Sequence, residues 1–372
     1  MNRLGTTIRT IIGSGGTGGH LFPGVAIAQE LISRDHENRV LFVNTGKPFE
    51  KDVLEKAEFD QVSITAEGIK GRSLWRKVNS LLRIPRGLVQ SMDVINRFGP
   101  DVVIGLGSYS AGVVVFGAWL KGIKTAVHEQ NMIPGITNRI LFRVADRIYV
   151  SFPKTMERIG KKNVILTGNP VRSSVFNSSE EKRENIFTVL IVGGSQGAHR
   201  INTVMTEAVL RIREKEKMHF IHQTGGKDEA WVKEAYSASQ TSSTVCAFFY
   251  DIGSQYARAD MVICRAGATT IAEVTALGKP ALFIPFPFAT DDHQAANAGE
   301  LADAGAAEVI PEDRLNGEML AKKIEFYAEN RRLLNEMALQ AAVFGKPNAA
   351  SAIVDDLYQL AGYRKNQRKK DG

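Results

Sequence analysis

Twice in this chain a run of β-branched residues closes on a glycine-rich turn that opens a helix, and nothing else in the sequence restricts its fold as much. The first is "IIGSGGTGGH", Ile11 to His20, and the second is "VLIVGGSQGAHRIN", Val189 to Asn202. Glycine takes positive φ and lets a bulky group reach the backbone, while the start of the following helix offers unpaired N–H groups and the positive end of its dipole. Such a turn holds phosphate. The plain alternative for any one of them is a tight strand-to-helix connection with no ligand. A third stretch, "GLGSYSAG" from Gly105 to Gly112, follows another strand, and three such loops at strand ends favour the anion.

Two common nucleotide chemistries do not fit. The first loop lacks the plain G-x-G-x-x-G dinucleotide form, and the next strand, "RVLFVNT", ends without the acidic residue that would hold a ribose. That disfavours a nicotinamide dehydrogenase. Neither loop carries the Gly-Lys-Ser/Thr of a P-loop.

Around the loops, strands alternate with helices. "RTIIGSGG", "RVLFVNT", "DVVIGLG", "KTAVHEQ" and "RIYVSF" read as strands of the first half, and "PGVAIAQELISR" reads as a helix by its apolar spacing. The series restarts with "FTVLIVGGSQG", "MHFIHQTG", "TVCAFFY", "DMVICRAG" and "KPALFIPF". Such alternation predicts open parallel sheets with ligand loops at the carboxyl ends of the strands. The fold class is therefore α/β, with two Rossmann-like, doubly wound parallel-sheet domains, which also suits a length of 372 residues. From Val164 to Asn185 turn residues and charge replace periodicity, which places the linker near Val171 to Asn185. The expected domains are 1–172 and 173–345, with a helix in 346–372, past the break at Gly345 to Pro347, crossing back to the first.

Composition narrows the partners. Hydrophobic content of 44% with 23% charged residues is that of a soluble globular protein. No apolar run approaches the roughly 20 residues of a membrane span, and Gly13 to Gly19 cut short any signal-peptide core, so the expected location is inside the cell. Cys246 and Cys264 give neither a disulfide framework nor a metal spacing. The net charge of +7 asks for an anionic partner: nucleic acid, phospholipid headgroups or a phosphorylated substrate. No nucleic-acid module or aromatic platform is present, which sets nucleic acid aside. In Gly71 to Gln90, Arg72, Arg76, Lys77, Arg83 and Arg86 edge an apolar helical stripe of Leu74, Trp75, Val78, Leu81 and Leu82, with no acidic residue. That suits an anionic lipid surface, each cation near it contributing about 1 kcal/mol. A core helix with a solvated basic face fits the same pattern.

Several side chains carry chemistry. In "CRAGATTIAEV" a strand ends at Cys264, a turn runs from Arg265 to Ala268, and Thr269 and Thr270 fall in the first turn of a helix. Diphosphate would sit at that helix start, and Glu273, one turn on, would accept the hydroxyls of a ribose; a solvated helix glutamate is the alternative. His20 closes the first glycine loop, and histidine is a residue type that titrates near neutral pH, as a general base must; capping or packing the helix is the alternative. The polar run His128, Glu129, Gln130 and Asn131 leaves the strand "KTAV" and is expected to enter the site. "DDHQAANA" offers Gln294 and Asp292 to sugar hydroxyls; its Asp-Asp-His is also a set of metal-ligand types, but nothing completes the set and no Asp-x-Asp occurs.

The blocks "GSGGTGGHLFPGVAIAQEL", "GLGSYSAG", "HEQNMIPGITNRIL", "LTGNPVR", "VGGSQGAHRIN" and "CRAGATTIAEVTALGKPALFIPFPFATDDHQAANA" run in order over nearly the whole chain. Together they resemble the MurG family of cell-wall glycosyltransferases. The resemblance implies a GT-B fold, its two domains facing across a cleft. It implies an inverting transfer of N-acetylglucosamine from UDP-GlcNAc to the C4 hydroxyl of the N-acetylmuramoyl unit of lipid I, giving lipid II and UDP with no cofactor and no metal. Related enzymes of the same fold with another lipid acceptor or an epimerase activity, and a non-catalytic nucleotide-binding scaffold, are the rivals.

Carried over position by position, the resemblance implies donor contacts from Thr17, Gly18, Gly19, Asn131, Arg172, Ser195, Phe249, Arg265, Ala268, Thr269, Thr270, Ile271, Ala272, Glu273 and Gln294. Glu273 would grip the uridine ribose, Ser195 would lie near the pyrophosphate, Phe249 would meet uracil through its backbone, and Arg172 or Arg265 would neutralise the leaving diphosphate. The acceptor side takes Gly15, Gly16, Tyr109, Ser110, His128 and Asn138, with His20 or Glu129 as the base. Domain 1–172 would hold lipid I and the membrane, and 173–345 the donor. The expected place is the cytoplasmic face of the plasma (inner) membrane, peripherally bound, among other cell-wall synthesis and division proteins.

Overall fold

Every strand pairing in the two sheets of the protein is parallel, as β-branched runs separated by helices require. The computed structural model describes residues 7–65, 74–177 and 185–363, and the side chains of 74–84 lie outside that description. The chain divides into two units, one made of the described residues up to Pro170 and from Asn348 onward, the other of Val171 to Pro347.

The first unit carries β1 (Arg9–Gly13), β2 (Arg39–Asn44), β3 (Asp60–Ser63), β4 (Val102–Gly105), β5 (Lys124–Glu129), β6 (Arg147–Val150) and β7 (Val164–Leu166), in the order β3-β2-β1-β4-β5-β6-β7. The winding reverses between β1 and β4, where Gly13 pairs with Gly105. The loops Gly13 to Gly19 and Gly105 to Gly112 therefore leave adjacent strands at the point where a doubly wound sheet opens its crevice. The second unit repeats the plan with β8 (Phe187–Val192), β9 (Met218–Gln223), β10 (Ser243–Cys246), β11 (Met261–Cys264), β12 (Ala281–Phe283) and β13 (Glu308–Val309), ordered β10-β9-β8-β11-β12-β13. Its reversal falls between β8 and β11, where Val192 pairs with Cys264. Each unit thus folds as a doubly wound α/β sheet.

Helices cover both faces, so the central strands are apolar without alternation. In the first unit Ile11, Val43, Val103 and Val127 pack on Val114 and Val115 of the helix Tyr109–Leu120. In the second, Val189 and Ile191 pack on Ile201 and Val204 of the helix His199–Val209, while Leu190 and Val262 pack on Ile271 and Val274 of the helix Ala268–Ala276. The last helix, Ala349–Leu360, belongs to the first unit and buries Ile353, Val354 and Leu357. Polar clamps hold it there: Arg34 pairs with Asp355, and Asp356 accepts from Arg147 Nε at 3.0 Å and from the Tyr149 hydroxyl at 2.8 Å.

Three local differences from the sequence reading have simple causes. Val164–Leu166 is not irregular but forms β7 beside β6; a three-residue edge strand is too short to show a period. Asp60–Ser63 and Glu308–Val309 escaped notice because short strands with polar residues lack an apolar run. Val171 and Val175, placed in a linker, are buried in the core of the second unit; 178–184 lie outside the described residues.

The helix Leu74–Phe98 spans most of the basic segment. Residues 71–73 and the side chains of Leu74, Trp75, Arg76, Lys77, Val78, Leu81, Leu82 and Arg83 are outside the description, while Arg86 is exposed. Among the described residues no helix is long and apolar enough to cross a membrane.

Candidate functional site

In the first unit, β1, β4 and β5 end side by side, and the residues that follow them meet. Gly13 makes room for the helix Tyr109–Leu120: a Cβ there would stand 2.8 Å from the Ala111 Cα. Gly16 takes φ +94°, and its N–H donates to Glu50 Oε1. Glu50, fully buried in the first turn of the helix Pro48–Lys56, also accepts from the amides of Thr45 at 3.0 Å and Lys47 at 3.1 Å. The Gly16 amide that was expected to face an anion thus faces a carboxylate, and a Cβ on Gly15 would meet the same carboxylate at 3.0 Å. Thr17, exposed, and Gly19, half-buried, flank the start of the helix Gly18–Arg34, whereas Gly18 packs beneath it against Phe22.

A relay of hydroxyls braces the second loop. The Ala111 amide donates to Ser108 Oγ at 3.1 Å, Ser108 and Ser110 share a hydrogen bond of 2.8 Å, and Ser110 donates to the Ser14 carbonyl at 3.0 Å. Because Ser110 donates to a carbonyl, Ser108 must donate to Ser110. Ser110 is fully buried and joins the two loops, which corrects its expected contact with the acceptor. Tyr109 beside it is half-buried.

The run His128 to Asn131 also departs from expectation. The strand continues through Glu129, and His128, Glu129 and Gln130 are all buried because the sheet is covered on both faces. His128 donates through Nε2 to the Gly168 carbonyl at 3.0 Å, and burial pushes its imidazole down to about 4. It is buried and hydrogen-bonded within the protein, away from the surface where an acceptor contact was expected. Burial raises the Glu129 carboxyl above its ordinary value against the donors that hold it: Asn131 N (3.0 Å), Gly135 N (3.0 Å) and Asn138 Nδ2 (2.9 Å). Asn138, fully buried, also donates to the His128 carbonyl at 3.0 Å, so its amide shapes the loop instead of a ligand. Asn131 is half-buried at the same loop.

His20, half-buried in the first turn of its helix, reaches across to this group. Its Nδ1 lies 3.2 Å from Gln130 Oε1, and Gln130 Nε2 lies 3.4 Å from the Leu106 carbonyl. Gly107, at φ +85°, supports the ring: a Cβ there would stand 3.2 Å from His20 Cε1 and 3.3 Å from Asn138 Nδ2.

In the second unit the loop after β8 lies backbone against backbone with the loop after β9. Gly197, at φ +76°, would put a Cβ 1.9 Å from the Thr224 carbonyl oxygen. Ser195 is half-buried at the tip. Gln223 ties the region together, donating to the Gly194 carbonyl at 3.0 Å and accepting from the Phe249 amide at 2.9 Å. That amide, expected to meet a base, is committed to Gln223.

Glu273 is buried in the helix Ala268–Ala276, held by the Tyr256 hydroxyl at 3.0 Å on Oε2 and by Arg172 at 3.4 Å on Oε1. Burial raises its carboxyl; Arg172 and Tyr256 act against that. Arg172, expected beside phosphate, pairs with this carboxylate. Arg265 is likewise engaged, in an ion pair with Glu312 and by donation to the Ile284 and Pro285 carbonyls at 3.2 Å each. Both arginines, which the resemblance sets beside the diphosphate, are paired with carboxylates of the protein here. At the helix start, Gly267 precedes Ala268, Thr269 and Thr270. The Ile271 amide donates to the Gly267 carbonyl at 2.9 Å and its side chain is core, so Ile271 lies beyond the amides that a helix start leaves for an anion. Ala272, half-buried, lies further on.

Gln294, in the helix His293–Asp303, accepts from the Phe286 amide at 2.9 Å. Before it, Asp291 and Asp292 both hold left-handed φ, at +54° and +53°, a costly conformation for such residues that concentrates at functional sites. Among the described residues no three His, Cys, Asp or Glu side chains gather as a metal set. The sequence reading missed Glu50, Gln223, Tyr256 and Glu312. The helix-start placing of Glu50, just after Pro48, was the available signal for the first.

Residues 10–150 match the model of the glycosyltransferase family 28 N-terminal domain, and 188–353 that of the glycosyltransferase family 28 C-terminal domain. The UDP-N-acetylglucosamine--N-acetylmuramyl-(pentapeptide) pyrophosphoryl-undecaprenol N-acetylglucosamine transferase of Syntrophus aciditrophicus is 49% identical over 352 residues, 94% of this chain and 98% of the relative. The protein of the same name in Geobacter sp. (strain M21) is 42% identical over 369 residues, 98% of each. Among solved structures, Acinetobacter baumannii MurG superimposes with a TM-score of 0.73 at 31% identity, over 94% of this chain and 99% of that one.

Proposed function

The chain belongs to glycosyltransferase family 28, among its MurG-type members, and from that premise we propose how its two units carry out the reaction. The protein transfers N-acetylglucosamine from UDP-GlcNAc to the C4 hydroxyl of the N-acetylmuramoyl unit of lipid I, with inversion, giving lipid II and UDP for peptidoglycan synthesis. The observation that carries this is the likeness to chains bearing that enzyme's name, which runs through both units.

The acceptor belongs to the first unit and the donor to the second. His20 is the base. Its support is a half-buried imidazole at the switch point of the sheet, 3.2 Å from Gln130, while the oxygens of the rival base Glu129 already accept from the protein. As the acceptor oxygen attacks the anomeric carbon, His20 takes its proton, the bond from that carbon to the diphosphate oxygen breaks, and UDP leaves with the electron pair. The first-turn amides of Ala268, Thr269 and Thr270 stabilise the diphosphate. Glu273 accepts from the ribose, and Ser195 and Gln294 line the donor.

The same reading places the protein peripherally at the cytoplasmic face of the plasma membrane, near other cell-wall synthesis and division proteins; the acid-free basic segment Gly71 to Gln90 supports it. The test is UDP release by the purified protein from UDP-GlcNAc, with and without a short-chain lipid I analogue. Release that depends on the analogue, with a new disaccharide-linked lipid, is the expected result. Release without acceptor dependence leaves the fold and removes the acceptor.

A further inference from the structure

Gln130 is buried between two groups that dictate which way its amide points. Its Nε2 lies 3.4 Å from the Leu106 carbonyl and its Oε1 lies 3.2 Å from Nδ1 of His20. A backbone carbonyl only accepts, so the nitrogen end of the amide must face Leu106 and the oxygen end must face the imidazole. An amide oxygen in turn only accepts. Nδ1 of His20 therefore carries a proton, and in the neutral ring Nε2 is the nitrogen with the lone pair. Turning the amide over would set two oxygens against each other at Leu106.

We propose that Gln130 is a positioning residue for the glycosyl transfer, fixing His20 as its Nδ1–H tautomer and so reserving Nε2 for the acceptor proton. The proposal rests on the reading of His20 as the base. Gln130 does for His20 what a buried carboxylate does for the imidazole of a serine hydrolase, where the partner of Nδ1 sets tautomer and orientation. The difference is charge. A carboxylate at this position would favour imidazolium, whereas a neutral amide orients the ring without holding a proton on Nε2.

The surroundings agree with a ring held for its tautomer. Gly107 lies against the imidazole from the end of β4, with Asn138 of the helix Ile136–Leu141 beside it. Among the described residues, ionisable groups on the packed elements include His128 in β5, kept neutral by burial down to about 4, and Glu129, engaged by Asn131, Gly135 and Asn138. Glu50 stands further back, under Gly16. Gln130 is the group that meets Nδ1.

The test reads the tautomer directly and then the rate. In protein labelled with 15N-histidine, the His20 ring signals, assigned by their loss in His20→Ala, should be those of the Nδ1–H form, and Gln130→Met should convert them to a mixture. Gln130→Met should lower kcat about tenfold, a part of the roughly 100- to 10,000-fold that a placed base contributes, with KM for UDP-GlcNAc within about twofold. Gln130→Glu should move the acid limb of the kcat/KM profile to higher pH, because a carboxylate beside Nδ1 raises the imidazole pKa. A wild-type ring in the Nε2–H form, or a tautomer that Gln130→Met does not change, overturns the proposal whatever the rates. A correct tautomer together with full turnover by His20→Ala overturns the base assignment, and the catalytic part of the proposal with it.

Discussion

The hydroxyl of Tyr256 donates to Oε2 of Glu273 at 3.0 Å, and both side chains are buried. Burial and the neighbouring Glu273 hold the phenol well above its ordinary pKa, so it donates at any working pH. With Arg172 on the other oxygen, the carboxylate is fixed from two sides before any ribose arrives.

Removing that donor should therefore be felt in donor binding more than in folding. Tyr256→Phe deletes a hydrogen bond to a charged group, about 1.5 kcal/mol or about tenfold in the Kd for UDP. Isothermal titration with UDP is the check. An unchanged Kd would remove Glu273 from the ribose role or show that Arg172 alone orients it.

The glycine loops were legible because what they need is local: a short β-branched strand, glycine at the turn, a helix after it. Their place at the carboxyl ends of parallel strands followed from the alternation, whereas the switch point is visible only in the strand order. The ligands of the charged groups were not legible. Arg172 meets a carboxylate 101 residues away in sequence, and its charge alone gave no sign of whether that partner would be Glu273 or a phosphate. Gly16 looked like an anion cradle because Glu50, 34 residues on, bears no local mark of facing it. At the end of β5 the polar run suggested a ligand, yet a sheet covered on both faces buries polar residues as readily as apolar ones when loop amides satisfy them, as Asn131, Gly135 and Asn138 do for Glu129.

Glu50 makes a prediction about the first unit alone. Glu50→Ala leaves the amides of Gly16, Thr45 and Lys47 without their acceptor, and buried unsatisfied donors cost about 1–3 kcal/mol each where water cannot enter. We expect about 3 kcal/mol of lost stability by denaturant unfolding, and a raised KM for the lipid I analogue. The Kd for UDP should move little, since the contacts proposed for UDP itself, from Ser195, the first-turn amides of Ala268 to Thr270 and Glu273, lie in the other unit. A weakened UDP affinity with normal acceptor KM would contradict this division of labour.

His128 predicts a stability change with a definite sign. Its imidazole falls from 6.5 in the unfolded chain to about 4 in the fold, so the unfolded state binds the proton first as pH drops. The stability that neutral His128 allows is complete above pH 6.5 and is lost progressively toward pH 4, by up to about 1.4 kcal/mol per pH unit. His128→Gln keeps an amide donor for the Gly168 carbonyl and removes the titration. The variant should show a flatter loss of melting temperature between pH 6.5 and 4 than the wild type. Equal slopes would mean that other groups carry the acid sensitivity.

Gly107 separates backbone strain from disturbance of the His20 ring. Its φ of +85° makes alanine there costly by about 1–2 kcal/mol. The added Cβ would also press on His20 Cε1 at 3.2 Å and on Asn138 Nδ2 at 3.3 Å, tighter than such contacts relax without movement. Displacing a base by a fraction of an ångström to one ångström lowers turnover by about 10- to 100-fold, so Gly107→Ala should lower kcat by that much with the Kd for UDP unchanged. Gly99 supplies the control: it too is left-handed, at φ +63°, but a Cβ there meets nothing within 4 Å. Gly99→Ala should lose the same 1–2 kcal/mol of stability, about what a left-handed alanine costs, and keep its turnover. If both variants fall equally in kcat, the loss comes from backbone strain in the unit, and the contact between Gly107 and His20 is not what sets the rate.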